Sequence, residues 1–161
     1  MRESGSQRVG FTVGVISDTH GRLNPNAADA LKGVDAIIHA GDVGGPDILT
    51  ALERIAPVSA VKGNMDGGAW TRDLPNADVV SFGQTLLYVL HDLHKLDLDP
   101  ESSGFKVVIS GHTHQAAATR KNGVLYLNPG SATQPRYGSA ISVALMRIEG
   151  DTVDYRIIAL E

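Results

Sequence analysis

Two short histidine motifs carry the side chains with which this sequence could do metal chemistry. Asp18 and His20 are two residues apart, and the same spacing recurs at His112 and His114, directly after Gly111. In an extended segment, residues i and i+2 point to the same side of the chain, so each pair is expected to converge on one point. Nitrogen and oxygen ligands without thiolate suit Mn²⁺, Fe, Zn²⁺ or Ni²⁺. Taken alone, each motif is a weak signal.

Further polar residues follow predicted strands along the chain. Asp42 comes after the second strand, Asn64 after the third and His91 after a later one. Ligands of open α/β sheets bind at the carboxyl ends of the strands, so the ordered set predicts one shared site. The competing interpretation is a group of separate turn caps, because Asp and Asn often follow strands in that role.

The elements that must position these residues begin with an alternation of strands and helices. Apolar, β-branched runs predict buried strands, and helical spacing with proline or glycine at the ends predicts the intervening helices. A β-α-β-α-β order indicates a parallel sheet covered by helices. The predicted strands are 11–17, 35–40 and 58–61, and the predicted helices are 26–32 and 46–55.

The second half of the chain changes to strands joined by glycine turns. A final pair of strands joined at Gly150 is typical of an antiparallel hairpin, and a helix is expected only around 96–102. We therefore predict an α/β fold, an αββα sandwich with two mixed β-sheets packed face to face and helices outside. The predicted strands are 85–90, 106–110, 124–128, 141–148 and 152–160.

Composition sets the class of protein. The chain has 161 residues, a formal net charge of −4 and no cysteine, which suits a single domain over 1–161 and excludes disulfides and thiolate chemistry. Residues 1–10 are expected to be a short polar lead-in, a candidate for disorder, and not a secretory signal. With no apolar run long enough for a membrane span, we expect a cytoplasmic protein.

As an ordered set, the motifs resemble the calcineurin-like metallophosphoesterase superfamily over about Val13 to Ile158. The closest likeness is to its small YfcE-type phosphodiesterase branch, which is related to the retromer subunit Vps29. The resemblance implies the metallophosphoesterase form of the sandwich predicted above. The motifs are Ser17-Asp18-Thr19-His20-Gly21, His39-Ala40-Gly41-Asp42, Val61-Lys62-Gly63-Asn64-Met65-Asp66, Val89-Leu90-His91, Ser110-Gly111-His112-Thr113-His114 and Asn128-Pro129-Gly130-Ser131.

The resemblance implies a site for two divalent metal ions, with Mn²⁺ favoured and Fe, Zn²⁺ or Ni²⁺ as alternatives. It implies hydrolysis of a small phosphodiester by in-line attack of a hydroxide that bridges the metals. With that hydroxide the site keeps a net charge of about +1, which suits a diester monoanion. One metal would take Asp18, His20 and His114, the other Asn64, His91 and His112, and Asp42 would bridge them.

The sequence departs from the family pattern at the third motif. Many members have His after Gly-Asn, where this chain has Met65. The identity of the general acid is therefore open, and Asp66, Asp92 and His94 are the candidates. Asn64 is expected to take part in catalysis and to bind the substrate as well as the metal. Arg136 is a candidate for bidentate contact with a substrate phosphate, with an ordinary surface arginine as the equal alternative.

Two other functions stay open at this point. A Vps29-like interaction scaffold with a non-catalytic metal site is the main alternative, although such a protein is expected to have lost one or more ligands. A nuclease acting on long nucleic acid is disfavoured by the net charge and by the absence of a basic run. No membrane partner is expected, and the sequence does not decide whether the chain forms a homo-oligomer. His39, inside a strand, is expected to be a packed core histidine.

Overall fold

Two mixed β-sheets of five strands each form the body of the protein, in a computed structural model that describes residues 10–136, 138 and 140–160. The strands are β1 (Gly10–Ile16), β2 (Ala36–His39), β3 (Val58–Ala60), β4 (Ala77–Phe82), β5 (Thr85–Leu90), β6 (Phe105–Ile109), β7 (Ala117–Lys121), β8 (Val124–Asn128), β9 (Ile141–Glu149) and β10 (Thr152–Leu160). The helices are α1 (Pro25–Ala30) and α2 (Pro46–Glu53), and short 3-10 turns lie at Ala69–Thr71 and Leu93–Lys95.

The first sheet has the strand order β10-β9-β1-β2-β3, with β1, β2 and β3 parallel. Both helices lie on its outer face, where Leu31 and Leu52 pack with Ile37 of β2. Each helix starts with proline in its first turn, a position where the missing N–H leaves no intrahelical bond unmade. These crossovers bring the carboxyl ends of three parallel strands to one edge.

The second sheet has the order β4-β5-β6-β8-β7, and its central strands β5, β6 and β8 are parallel. Strands β7 and β8 form an antiparallel hairpin through Asn122 and Gly123, both with positive φ, as a tight hairpin turn requires. The carboxyl ends of its parallel strands therefore also share one edge.

The main core lies between the two sheets. Alternate residues of β1 point inward, and Val13 and Val15 pack in one buried cluster with Leu87 and Ile109 of the second sheet. The residue between them, Gly14, faces α1, where a Cβ would collide with the side chain of Leu31. The face-to-face sandwich predicted from the sequence is thus confirmed.

All eight predicted strands are confirmed, each end to within one residue, and so is the hairpin at Gly150. The predicted helix at 96–102 is wrong: the segment holds turns and follows a 3-10 turn. Helices therefore cover the first sheet, while the segment 91–104 crosses the outer face of the second. Strands β4 and β7 were missed because both are exposed edge strands with little apolar alternation.

Two expectations concern regions at the margins of the described chain. The predicted polar lead-in lies outside the described residues apart from Gly10, which already belongs to β1. Among the residues the structure describes, no helix is long and apolar enough to cross a membrane.

Candidate metal centre

The predicted site residues lie in loops at the shared carboxyl edge of the two sheets. The loop after β1 holds Asp18 and His20, and it is tied by backbone hydrogen bonds to the loop after β2, which holds Asp42. The loop after β6 is tied to His91 by the Gly111 N–H, which donates to the His91 carbonyl oxygen. The sandwich therefore brings residues almost a hundred positions apart into one cluster.

Local backbone strain accompanies this convergence. Among the described non-glycine residues, six have positive φ, and five of them belong to the site. The left-handed conformation is unfavourable for residues with a Cβ, and it persists where the surrounding structure imposes it, often at functional sites. The five residues and their φ values are Asp18 (56°), His20 (48°), Asp42 (54°), His112 (76°) and His114 (63°).

The extended backbone predicted for the two pairs is wrong, because both members of each pair are left-handed. Asp18 and His20 still meet, with 3.7 Å between Asp18 Oδ1 and His20 Nε2. Tight turning, rather than strand alternation, brings them together.

Asp18 lies fully buried at the centre of the cluster. Its Oδ2 accepts hydrogen bonds from the Ser17 hydroxyl at 2.6 Å and from the His112 N–H at 3.0 Å. Its Oδ1 lies 3.2 Å from Nε2 of His114 but has no hydrogen-bond partner among the described residues. A buried carboxylate oxygen without a partner is costly, so this atom is positioned for a ligand.

His91 and Asp42 form the second buried contact of the site. His91 Nδ1 lies 2.8 Å from the Ala40 carbonyl oxygen, which fixes the N–H on Nδ1 and leaves a lone pair on Nε2 when the ring is neutral. That Nε2 lies 3.3 Å from Asp42 Oδ2 without hydrogen-bond alignment, and it too is unpartnered among the residues described. Asp42 Oδ1 accepts the Met65 N–H.

The proximity of His91 and Asp42 shifts both pKa values. Burial by itself lowers the pKa of His91, but the carboxylates of Asp42 and Asp18 outweigh it and raise that pKa above 6.5. Burial likewise opposes ionisation of Asp42, yet His91 and the Met65 N–H hold the pKa of its carboxyl below 3.8. In the absence of metal, the pair is therefore stabilised as imidazolium and carboxylate.

His20 and His114 complete a cluster of four potential metal ligands. One ligand atom from each of Asp18, His20, Asp42 and His114 lies within 4.8 Å of the others. The two imidazoles face each other through Nε2 atoms 3.2 Å apart, and His114 Nδ1 is held by the Gln134 carbonyl oxygen. That bond leaves Nε2 of His114 free to coordinate in the neutral ring.

Asn64 and His112 lie on the more exposed side of the same site. Asn64 Oδ1 is 3.2 Å from His112 Nδ1, and the rings of His91 and His112 meet edge to face at 5.2 Å. Asp92, a candidate for the general acid, directly follows His91 in the chain. Its Oδ2 lies 4.0 Å from Nε2 of His112, and its Oδ1 caps the following 3-10 turn.

Two glycines permit the close approach of these loops. A Cβ on Gly111 would collide with Ser17 Oγ and Asp18 Oδ2, and a Cβ on Gly63 would collide with the backbone and carboxylate of Asp42. Any side chain at either position would displace the carboxylate of Asp18 or of Asp42. The glycines beside the histidine and asparagine motifs are therefore structural requirements of the site.

Asp66 has a role that differs from the predicted one. Its carboxylate is buried and accepts three backbone N–H bonds, from Val43 at 3.1 Å, Gly44 at 3.0 Å and Gly63 at 2.9 Å. It thereby joins the loop that holds Asp42 to its own loop. These three hydrogen bonds favour a role for Asp66 in positioning the loops rather than in transferring a proton. The predicted role of Asp66 as the general acid stays a prediction.

The remaining predicted site residues, Arg136 and His94, are exposed. Arg136 lies two residues after Gln134, and His94 lies in the second 3-10 turn. Met65, in place of the family histidine, has 70% of its surface exposed. The substrate-binding role of Arg136 and the acid roles of His94 and Asp92 remain predictions.

His39 is a core residue, as expected. Its Nδ1 accepts the Gly41 N–H, and its Nε2 pairs with the Thr19 hydroxyl at 3.0 Å. Burial is the main cause that lowers its pKa to about 3, so the ring is neutral. The sequence did not predict three residues that orient site or core side chains. The hydroxyls of Ser17 and Thr19 contact Asp18 and His39, and the backbone carbonyl oxygen of Gln134 contacts His114. No sequence pattern marks contacts of these kinds.

The donor set fits a divalent metal. The two buried atoms without partners, Asp18 Oδ1 and His91 Nε2, belong to ligands predicted for different metals. Bonds from Nδ1 to carbonyl oxygens orient the Nε2 atoms of His91 and His114 for coordination. Carboxylate, imidazole and amide oxygen together suit Mn²⁺, Fe, Zn²⁺ or Ni²⁺, whereas Mg²⁺ and Ca²⁺ favour ligand sets made of oxygen alone.

Comparison with known proteins gives a family and a fold. Residues 11–151 match the model of the calcineurin-like phosphoesterase superfamily domain. A protein of Methanothermobacter thermautotrophicus named probable metallophosphoesterase is 40% identical over 157 residues, covering 91% of each chain. The matched residues 11–151 agree closely with the extent of the predicted resemblance, about Val13 to Ile158.

Solved structures with the same fold include both kinds of relative that the motifs predicted. An archaeal phosphodiesterase superposes with a TM-score of 0.77 at 26% identity, covering 93% of this chain and 100% of its own. Vps29 of Entamoeba histolytica, solved with Zn²⁺, gives a TM-score of 0.73 at 22% identity, covering 92% of this chain and 99% of its own. The predicted resemblance is confirmed.

Proposed function

This chain belongs to the calcineurin-like phosphoesterase superfamily, and from that premise we propose that it is a metal-dependent phosphodiesterase with two divalent ions at the Asp/His cluster. The observation that carries the proposal is the pair of buried, unpartnered atoms Asp18 Oδ1 and His91 Nε2, which lie 3.9 Å apart. The phosphoesterase chemistry follows from the family, whereas the number of metals and the preference for diesters are our inference.

The residues divide into two ligand groups around Asp42. Asp18, His20 and His114 would hold one ion, and Asn64, His91 and His112 would hold the other. Asp42 Oδ2 lies 3.7 Å from His20 Nε2 and 3.3 Å from His91 Nε2, which supports its role as the shared carboxylate. Divalent ions bound there would supply Lewis-acid stabilisation of the phosphoryl oxygens and a water of lowered pKa.

The chain's own contribution is orientation and charge. Carbonyl oxygens fix the tautomers of His91 and His114, and the Ser17 hydroxyl and His112 N–H fix the carboxylate of Asp18. Asp18 and Asp42 are the two anionic ligands of the set, and the others are neutral. A centre with so few anionic ligands stays attractive to the single negative charge of a phosphodiester.

Departure of an alkoxide leaving group calls for a proton donor. Asp92 and His94 flank the exposed side of the site, where Asp92 Oδ2 lies 4.0 Å from His112 Nε2. Asp66 is less suited, because three backbone N–H groups occupy its carboxylate. Asp92 and His94 are therefore the stronger candidates for the general acid.

The alternative is a Vps29-like interaction scaffold. Loss of ligands would favour it, but all seven predicted ligands are present and lie at one edge of the sandwich. We therefore favour the enzyme.

The test is hydrolysis by chelator-stripped protein titrated with Mn²⁺. The proposal expects metal-dependent turnover of bis(p-nitrophenyl) phosphate, faster than that of the monoester p-nitrophenyl phosphate, with about two metals per chain by elemental analysis. Bound metal without turnover of either ester would contradict the enzymatic function. No bound metal would favour the scaffold.

A further inference from the structure

Two grooves on the outer face of the second sheet both open at the candidate metal centre. The segment 92–97 crosses the middle of this face, where Leu96 packs with Leu90 and Val108. A cavity of about 550 Å³ lies on one side of the segment and one of about 400 Å³ on the other. Asp92 lines both cavities, so the segment forms the wall between them.

The larger cavity, called here the polar groove, is lined by hydrogen-bonding side chains around one aromatic ring. Neither Lys62 nor Lys95 has a side-chain hydrogen bond or ion pair with any described residue. These two ammonium groups can therefore donate to a ligand. The groove is lined by Lys62, Asn76, Tyr88, Lys95 and Asp97, and it reaches Asn64 and His91 at the metal centre.

The smaller cavity, called here the apolar groove, presents mostly carbon. Leu93 contributes an exposed side chain from the dividing wall, and Ala117 and Tyr126 contribute from the sheet. Its inner end is formed by Gly111 and His112 of the metal centre. The two grooves thus differ in chemistry. They meet where Asn64, which lines the polar groove, contacts His112, which lines the apolar groove, with 3.2 Å between Asn64 Oδ1 and His112 Nδ1.

We propose that the substrate is an unsymmetrical phosphodiester, with a nucleoside-like arm in the polar groove and an apolar arm in the apolar groove. This rests on the proposed function and names its substrate class. A phosphorus atom held near Asn64 and His112 carries one ester arm towards each groove. A monoester would leave one groove empty, and a diester with two apolar arms would leave Lys62 and Lys95 unused.

Charge and shape favour a nucleoside as the polar arm. A nucleobase offers a face to stack on Tyr88, and its ring atoms and the sugar hydroxyls offer acceptors for two lysines and donors for Asp97. The apolar arm has no such demands and gains from burial against Leu93 and Tyr126.

The test compares three diesters that share one leaving group. Thymidine 5′-p-nitrophenyl phosphate has one polar and one apolar arm, bis(p-nitrophenyl) phosphate has two apolar arms, and methyl p-nitrophenyl phosphate lacks a second large arm. The proposal expects kcat/KM for the thymidine ester to exceed that for each of the others by about tenfold. Equal values would overturn it while leaving the phosphodiesterase function intact.

Variants locate the effect. Lys62→Ala and Lys95→Ala are expected to lower kcat/KM about tenfold for the thymidine ester and less than about twofold for the other two. Lys106→Ala, an exposed lysine of β6 outside both grooves, is the matched control and should change none. An equal loss on all three substrates would place the lysines at the metal centre and contradict the proposal.

A binding measurement on protein loaded with diamagnetic Zn²⁺ gives a readout independent of turnover when each ester is replaced by its phosphonate analogue, in which a methylene group replaces the oxygen of the leaving group. In amide-resolved nuclear magnetic resonance spectra, the analogue of the thymidine ester should shift signals of Asn76 and Lys95 together with those of Ala117 and Thr119. The analogue of methyl p-nitrophenyl phosphate should leave the first pair unchanged. Shifts confined to one groove with the analogue of the thymidine ester would contradict the two-arm arrangement. If no diester is hydrolysed by metal-loaded protein, the proposed function fails and this inference with it.

Discussion

Oδ1 of Asp18 lies 3.2 Å from Nε2 of His114, and this buried oxygen has no hydrogen-bond partner among the residues described. The two residues are separated by most of the chain and belong to loops of different sheets. Both have positive φ, so each loop is turned tightly to make the contact. A cation bound at this oxygen would satisfy it and offset the cost of the strained contact.

Removal of the shared carboxylate tests whether the two ligand groups form one centre. Asp42→Asn keeps the shape but removes the charge that lies between His20 and His91. We expect bound metal to fall from about two ions to one or none, and turnover to fall at least about a hundredfold. Asp73→Asn, at an exposed position, is the control. Full activity with both metals retained would show that Asp42 does not bridge.

The two histidine groups should be separable. His114→Ala removes a ligand of the Asp18 and His20 group, while His91→Ala removes one from the Asn64 and His112 group. Each variant is expected to keep about one metal per chain, with different affinities and different effects on the thermal midpoint. Elemental analysis with calorimetric metal titration measures this. Identical metal loss in both folded variants would indicate a single site.

Metal affinity should depend on pH through His91. Its pKa is raised above 6.5, because the carboxylates of Asp42 and Asp18 outweigh the effect of burial. A proton therefore competes with the metal, and affinity should fall about tenfold for each pH unit below that pKa. Competition with a fluorescent chelator at several pH values measures the slope, and a flat profile would contradict this assignment.

The stability of the metal-free protein should have the opposite dependence on pH. A folded-state pKa raised above the unfolded value stabilises the fold fully below about 6.5, and this contribution is lost as pH rises through the raised pKa. Unfolding by urea in the presence of chelator should therefore show a free energy of unfolding that decreases as the pH rises from about 6.5 through the raised pKa of His91. His91→Gln should remove this decrease, whereas the buried neutral His39, whose pKa is lowered to about 3, contributes the opposite dependence chiefly below pH 6.5.

Asp66 should act by holding loops rather than by moving protons. Asp66→Ala leaves three backbone N–H groups without an acceptor, and we expect it to lower the free energy of unfolding by about 2–3 kcal/mol. The limbs of the pH–rate profile should keep their pKa values in Asp66→Asn, with activity reduced through weaker metal binding. Loss of one limb with unchanged stability would instead identify Asp66 as the acid.

The layers of the fold could be predicted because burial leaves a pattern in the sequence. Runs such as 11–17 and 124–128 are apolar and β-branched, and their ends fall within a residue of the observed strands. The edge strands β4 and β7 were missed because half-exposed strands need little apolar alternation. The segment 96–102 has only two leucines, Leu96 and Leu98, at a spacing that does not form an apolar helix face. Leu96 packs against the sheet from a segment that is not helical.

The residues that gather at this edge of the sandwich could be predicted from motif order, but the geometry of the cluster could not. Left-handed turns at Asp18 and His112 and the tautomers fixed by Ala40 and Gln134 depend on tertiary contacts. The positioning role of Asp66 likewise depends on three N–H groups from two loops. Motifs therefore mark the candidate ligands more readily than the residues that orient them.

The most direct test of the account is anomalous X-ray diffraction from crystals of the Mn²⁺-loaded protein. We expect two anomalous peaks that share Asp42, one among Asp18, His20 and His114 and the other among Asn64, His91 and His112. A single peak, or peaks away from these side chains, would contradict the two-metal centre on which the proposed activity depends.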